Sequence, residues 1–223
     1  MASGGILKRC QTEPMGGTHP WPSVRRRRCE LADAVEALKP DQWGTPSWCE
    51  GWRVRDVLGH LVYLAEATQV SILTDLLRAG GRPDRSVDRA ARRLGDEPVS
   101  ELATRLREAA DGRYHVIGSP PAVALGDVLV HSADALRRLG LVIEPEPDEV
   151  RLVLPIYRRL GRLVFHAAMP RNIRLVATDL EWQSGRGPEI RGKAFDLLLL
   201  LANRRQVVTE LEGPGLSSLK PQI

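Results

Sequence analysis

The residues of this chain best suited to chemistry are two histidines and an aspartate. His60 stands in the run Trp48-Cys49-Glu50-Gly51-Trp52-Arg53-Val54-Arg55-Asp56-Val57-Leu58-Gly59-His60-Leu61, and Asp127 and His131 form an Asp-x-x-x-His pair. Residues four apart on a helix share a face, so Asp127 and His131 can grip one ion together. A third ligand from another helix gives three protein donors and one open position, the arrangement of a catalytic rather than a structural metal. Two imidazoles and a carboxylate suit zinc or another divalent first-row ion. Plainer readings stand beside this one. His60 has Val57, Tyr63, Leu64 and Ala67 around it on its helix, and alone it reads as a core histidine with one hydrogen bond. Asp127, His131, Asp134 and Arg138 form a polar stripe that faces either water or a cavity between helices, and periodicity does not choose. If it faces a cavity, Asp134 and Arg138 stand behind the ligands or clamp a substrate. Cys49, with Arg53 and Arg55 close in sequence to lower its pKa, offers a rival as nucleophile, and Asp179 and Glu181 are further candidate acids.

Long amphipathic helices must position these groups. Leu31, Val35 and Leu38 recur at helical spacing over Val24 to Leu38, and Pro40 closes that helix. A Trp-rich loop over 41–53 leads to a second helix, expected from Val54 to Arg78 and stopped by Gly80-Gly81. The Arg- and Asp-rich stretch 82–97 reads as weakly helical. A third helix spans Val99 to Ile117, and a fourth Ala122 to Leu139, ended by Gly140. The four read as an up-and-down bundle. Beyond the linker Glu144-Pro145-Glu146-Pro147 comes a fifth helix, Asp148 to Ala168. The pattern then changes: Ile173 to Thr178 alternates in polarity and is rich in β-branched residues, as in a strand. A second short strand is expected over Pro188 to Arg191, a helix over Ala194 to Asn203, and a last strand over Gln206 to Leu211. The organisation is thus a disordered tail over 1–23, a helical bundle over 24–143, a connecting helix over 144–168 and a small α+β domain over 169–223.

Bulk properties bound the classes. Of 223 residues, 43% are hydrophobic and 27% charged, as in an ordinary folded domain. The net charge is +4, part of it from the block Arg25-Arg26-Arg27-Arg28. Without interleaved aromatics that block reads as a solvated helix start, so nucleic acid is not expected as a partner. No apolar run reaches the roughly 18–20 residues of a membrane span, and no secretory core is seen at the N-terminus. Cys10, Cys29 and Cys49 have no CxxC spacing and make no even set, which suits a reducing cytoplasm.

The motifs carry a resemblance. Trp43-x-x-Pro46-Ser47-x-Cys49-x-Gly51-Trp52-x-Val54-x-Asp56-Val57-Leu58-x-His60-Leu61 resembles the opening signature of the mycothiol-dependent maleylpyruvate isomerase family, part of the DinB-like group of four-helix metal proteins. Val130-His131-x-x-Asp134-x-x-Arg137-x-x-Gly140 is similar to its second motif. Leu175-Val176-Ala177-Thr178-Asp179-x-x-Trp182, then Gly185-x-Gly187-Pro188-Glu189-x-x-Gly192, Asp196-Leu197-Leu198 and Arg204 resemble its small C-terminal domain.

The resemblance implies a mainly α fold, a DinB-like up-and-down four-helix bundle followed by a small α+β domain. It implies a divalent metal, usually zinc, on His60, Asp127 and His131, with mycothiol as thiol cosubstrate. The founding isomerases carry Glu where this chain has Asp127. A basic residue of the C-terminal domain assists the isomerase reaction. Arg204 falls there, in Ala202-Asn203-Arg204 rather than the more usual Thr-Gly-Arg, and Arg204 or Arg138 would hold a substrate carboxylate. Cys49 lies in what resembles a structural turn of the family, which favours packing with Trp48 and Trp52 over nucleophilic chemistry.

The implied activity is that of a cytoplasmic isomerase or thiol S-transferase. A metal-held thiolate adds to a small-molecule electrophile, with no membrane involved and homodimerisation left open. The alternative, from another class, is a non-catalytic metal-binding DinB-like module or the partner of a regulator.

Overall fold

The structure, a computed structural model, describes residues 19–115, 118–164, 170 and 172–219. Up to residue 18, the tail expected to be disordered lies outside them, as do residues 116–117 and 165–169. The helices α1 (Trp21–Glu36), α2 (Val54–Glu66), α3 (Gln69–Arg78), α4 (Pro83–Gly95), α5 (Val99–Glu108) and α6 (Ala122–Leu136) build the bundle, and α7 (Pro147–Val164) connects it to the C-terminal unit. That unit holds β1 (Arg174–Ala177), β2 (Gln183–Gly185), β3 (Glu189–Gly192) and α8 (Ala194–Leu201). The sheet has the order β2-β1-β3, with β1 antiparallel to β2 and parallel to β3. Mainly helical, with a small three-stranded sheet at its end, the fold agrees with the architecture expected of the sequence.

Local chemistry explains where the elements differ from expectation. The helix expected from Val54 to Arg78 is broken at Ala67. Thr68 accepts from the Ser71 amide at 3.1 Å while the Ser71 hydroxyl accepts from the Thr68 amide at 2.9 Å. This reciprocal cap competes with helix continuation and starts α3 afresh. The Arg-rich stretch is not weakly helical but a full helix, α4: Pro83 opens it, and Ala90, Ala91 and Leu94 bury a narrow face among the arginines. That face lies tight against α2. A Cβ at Gly59 would stand 2.6 Å from Ala91 O and 2.7 Å from Gly95 N, so the residue before His60 must be glycine for the two helices to approach this closely. The third helix ends at Glu108, short of the expected Ile117. The last expected strand is a 3-10 turn over Arg205–Glu210. Val207 and Leu211 are its buried residues, four apart rather than alternating, and only Glu212 reaches the sheet edge, bridging Arg191.

The arginine block is not a solvated helix start. On α1, Arg27 and Arg28 are buried, with 4% and 3% of their surfaces exposed. Arg27 donates to Glu149 Oε2 through Nε at 2.8 Å and Nη2 at 2.5 Å, and Arg26 reaches Glu149 Oε1 at 2.7 Å. Glu149 lies in the first turn of α7, where a carboxylate also complements the helix dipole. Three of the four arginines therefore work inside the protein, clamping α1 to α7 and, through Arg28, to the end of α5.

Candidate metal centre

Helix α2 begins at an N-terminal box in which Asp56, fully buried, accepts from the Arg53 amide at 2.8 Å and from its guanidinium. One turn later the helix carries His60 into the core, 5% exposed. Helix α6 presents Asp127 and His131 from the facing side. Gly126 allows this placement: a Cβ there would stand 2.3 Å from the Tyr157 ring of α7, so α6 seats closely on that ring. The donor atoms of His60, Asp127 and His131 all lie within 4.8 Å of one another. His60 Nε2 is 3.7 Å from Asp127 Oδ2, and His131 Nε2 is 3.6 Å from Asp127 Oδ1. The two imidazole rings sit edge to face at 4.6 Å, and the Trp52 ring flanks both at 5.1 and 6.0 Å. Trp52 is itself pinned by a 2.9 Å bond from its Nε1 to Asp88.

Both ring nitrogens of His60 are buried with no hydrogen-bond partner among the described residues. Buried polar atoms are normally satisfied, so the core-histidine reading with its single hydrogen bond does not describe His60. An ion shared with Asp127 and His131 would satisfy one of those nitrogens, and the donor set fits a divalent cation. The electrostatics agree. Burial pushes His60 below its ordinary pKa, with His131 adding to the effect against the pull of Asp127, so its imidazole is neutral at pH 7. Burial raises Asp127, but His131, His60 and Arg28 outweigh it and bring that carboxyl down to about 2. A neutral imidazole on His60 and an anionic carboxylate on Asp127 are donor states that metal binding requires.

Behind the cluster runs a chain of charges. Asp134, fully buried, has Oδ2 at 2.9 Å from His131 Nδ1. Arg204 grips the same carboxylate through Nε at 2.9 Å and Nη2 at 2.5 Å, and donates to Ala202 O at 2.7 Å. Although burial opposes it, His131 and Arg204 hold Asp134 below the usual carboxylate range. Arg204 follows Asn203, whose φ of 66° is the left-handed turn that lets the chain leave α8 and aim the arginine back at the bundle. The structure thus brings His60, Asp127, His131, Asp134 and Arg204 together, but not Arg138. The last turn of α6 tightens to a 3-10 turn over Arg137–Leu139, which shifts the angular register and leaves Arg138 exposed. Its neighbour Arg137 turns inward instead, 2.6 Å from Asp196 and packed over the Trp48 and Phe195 rings.

Cys49 is a free thiol near His131 and Asp134. Burial, then Asp134, push it up to about 12 against the pull of Arg204, so it is a packed thiol at neutral pH and no nucleophile. Cys29, by contrast, is buried and disulfide-bonded, so the chain does not hold three equivalent reduced thiols. Asp179 accepts from the Ala194 amide at 2.7 Å and so ties the end of β1 to the start of α8. A cavity of about 380 Å³ opens onto His60 and Asp127, walled by α2, α3, α4 and α6. The sequence reading missed it because its outer wall, α3, was read as a continuation of α2.

The described residues thus form a helical bundle with a His₂-carboxylate cluster between α2 and α6, followed by a small α+β unit. Residues 24–115, which carry His60, match the family model described as Mycothiol maleylpyruvate isomerase N-terminal domain. Two uncharacterized proteins from two strains of Mycobacterium tuberculosis are each 27% identical to the chain over 230 aligned positions, covering 85% of it and 88% of their own length. The fold is shared with crystal structures of mycothiol-dependent maleylpyruvate isomerase. A histidine-to-alanine variant superposes with a TM-score of 0.59 and the parent enzyme with 0.56, each at 13% identity and covering 93% of this chain and 95% of theirs. No described helix is long and apolar enough to cross a membrane.

Proposed function

We propose that the protein is a metal- and mycothiol-dependent enzyme that adds a thiol to an electrophilic small molecule, as an isomerase or an S-transferase. The observation that carries this reading is the pair of buried, unpartnered nitrogens on His60 beside Asp127 and His131. His60, Asp127 and His131 would hold the ion, and zinc is the natural choice for this donor set. When bound, such an ion lowers the pKa of a thiol in its open position and so supplies thiolate at neutral pH.

The chain's own residues do the rest. Asp134 stands 2.9 Å from His131 Nδ1 without closing a hydrogen bond to it, and its charge favours the ring orientation that leaves Nε2 to the cluster. Arg204 fixes Asp134 and acts here as a positioning residue, since both of its carboxylate-facing nitrogens are already engaged. Trp52 closes one side of the cluster against water. The cavity beside His60 receives the electrophile. The family-model match of residues 24–115 and the shared fold support the thiol as cosubstrate; Asp127 in place of the isomerases' Glu leaves the three-donor set intact.

The test is elemental analysis of protein purified without a metal-affinity tag, beside His60→Ala and Asp127→Ala/His131→Ala variants. The expected result is near-stoichiometric zinc in the parent, lost in the variants, with thiol-dependent consumption of an activated alkene by the parent alone. Metal-free parent protein that also fails to take up added zinc would refute the reading.

A further inference from the structure

The cavity beside the candidate metal centre is lined by an arginine that no carboxylate of the described residues pairs. Arg28 lies on its wall, 3% exposed. Its Nη1 is fully occupied at the C-terminal end of α5, donating to Gly112 O at 2.7 Å and Ala110 O at 3.1 Å, with Ala109 O at 3.5 Å. Its Nε has no hydrogen-bond partner, and the hydrogen bonds of the guanidinium all leave from Nη1. Among the described residues no carboxylate forms an ion pair with it; Asp127 and Asp111 act on it only through space. Nε is closed to solvent, so Nη2, which makes no hydrogen bond to the described residues, is the nitrogen left for a carboxylate in the cavity. A buried guanidinium without such a partner is costly, and Arg28 is the one permanent cation among the described lining residues. The rest of the wall is largely apolar, with Leu64, Ile72, Leu76 and Val123 among its residues, and the volume of about 380 Å³ is that of a small-molecule site.

We propose that this cavity binds a small, largely hydrocarbon monocarboxylate, its carboxylate on Nη2 of Arg28 and its apolar body along α2, α3 and α6. The inference rests on the reading of the adjoining His60, Asp127 and His131 as the reaction centre and names the class of electrophile that centre would meet: an unsaturated acid with an apolar body rather than a compact dicarboxylate. A second carboxylate would have to lie against Leu64 or Val123 with no partner, losing its hydration.

The experiment is calorimetric titration of the full chain, zinc-loaded and EDTA-treated, with three probes: octanoate, octan-1-ol and succinate. Octanoate should bind both forms at least tenfold more tightly than either other probe, since it alone combines a charge-assisted contact with a wholly apolar body. Arg28→Lys, which keeps the charge and a donor for the α5 carbonyls, should weaken octanoate about tenfold or more. Val123→Trp, which fills the cavity and leaves Arg28 in place, should abolish binding.

Octan-1-ol binding as tightly as octanoate would overturn the role of Arg28, and this comparison needs no variant. Octanoate binding only the zinc-loaded form and untouched by Arg28→Lys would be simple metal ligation and would overturn the proposal. No binding of any probe would overturn it as well. Failure of the parent to hold zinc would remove the proposed reaction, while octanoate binding by the EDTA-treated protein would still decide the site.

Discussion

Asp134→Asn is the perturbation that separates a metal centre from a merely buried polar cluster. The substitution keeps the shape of the side chain and deletes its charge. Asp134 is fully buried and bears two partners, His131 Nδ1 at 2.9 Å and the Nε/Nη2 edge of Arg204. Removing one member of a buried ion pair costs roughly 3–5 kcal/mol, because the survivor keeps its desolvation penalty. Arg204 retains 14% of its side-chain surface in water and its bond to Ala202 O, so the expected loss is at the low end, about 3 kcal/mol. The effect on metal is distinct. A carboxylate behind a ligating histidine sets its orientation and basicity, and losing it lowers affinity about tenfold to a hundredfold. Urea unfolding of the metal-free protein reads the first quantity, and competition for zinc against a chromophoric chelator reads the second. In Asp134→Asn/Arg204→Met no buried charge is left unpaired, so part of the stability should return while zinc affinity stays low. Zinc affinity of Asp134→Asn within twofold of the parent, or restored together with stability in the double variant, would refute the reasoning.

Glu149→Gln strips the buried carboxylate that Arg26 and Arg27 share, and should destabilise the protein by about 3 kcal/mol or more in urea without changing zinc content. Gly59→Ala should be severely destabilising for its size, since its Cβ would meet backbone atoms of α4 at 2.6 and 2.7 Å, and Tm would fall with no change in net charge. The metal-free protein should lose stability to acid in two stages. His60, lowered when folded, favours the folded state fully above its unfolded pKa near 6.5 and less as pH falls below it. Asp127, lowered from 3.8 to about 2, adds about 2 kcal/mol above pH 4 that is lost toward pH 2. Urea midpoints from pH 8 to 3 check this, and a flat profile in His60→Ala above pH 5 is part of the expectation. Cys49 should resist iodoacetamide at pH 8 in the folded protein, by peptide mass mapping, and react once unfolded.

How far the sequence could be read differs between the cluster and what surrounds it. Asp127 and His131 are legible because the i, i+4 rule is local to one helix, and the four-helix pattern because its apolar faces are long. That His60 meets them is a tertiary fact which only the resemblance supplied. Asp134 shares the face of Asp127 as the helical period requires, but the outward turn of Arg138 depends on three residues of 3-10 geometry after Leu136, a change no periodicity count detects. The break between α2 and α3 was written in Thr68-x-x-Ser71 chemistry that an apolar repeat overrode. Arg25–Arg28 was misread for the opposite reason: four adjacent charges suggest water, yet Glu149 and the α5 carbonyls are distant in sequence and draw Arg27 and Arg28 inside.

Two arginines give the candidate site its asymmetry. On one side of the cluster, Arg204 from the C-terminal unit is engaged by Asp134, which stands 2.9 Å from His131 Nδ1. On the other side, Arg28 from α1 lines the cavity with no carboxylate of the described residues paired to it. In the proposed reading the two like charges have opposite functions, decided by whether a carboxylate of the chain already pairs the guanidinium. The difference predicts distinct failures. Loss of Arg204 should weaken metal binding together with everything that depends on it, whereas loss of Arg28 should leave the metal in place and impair recognition of the acid alone.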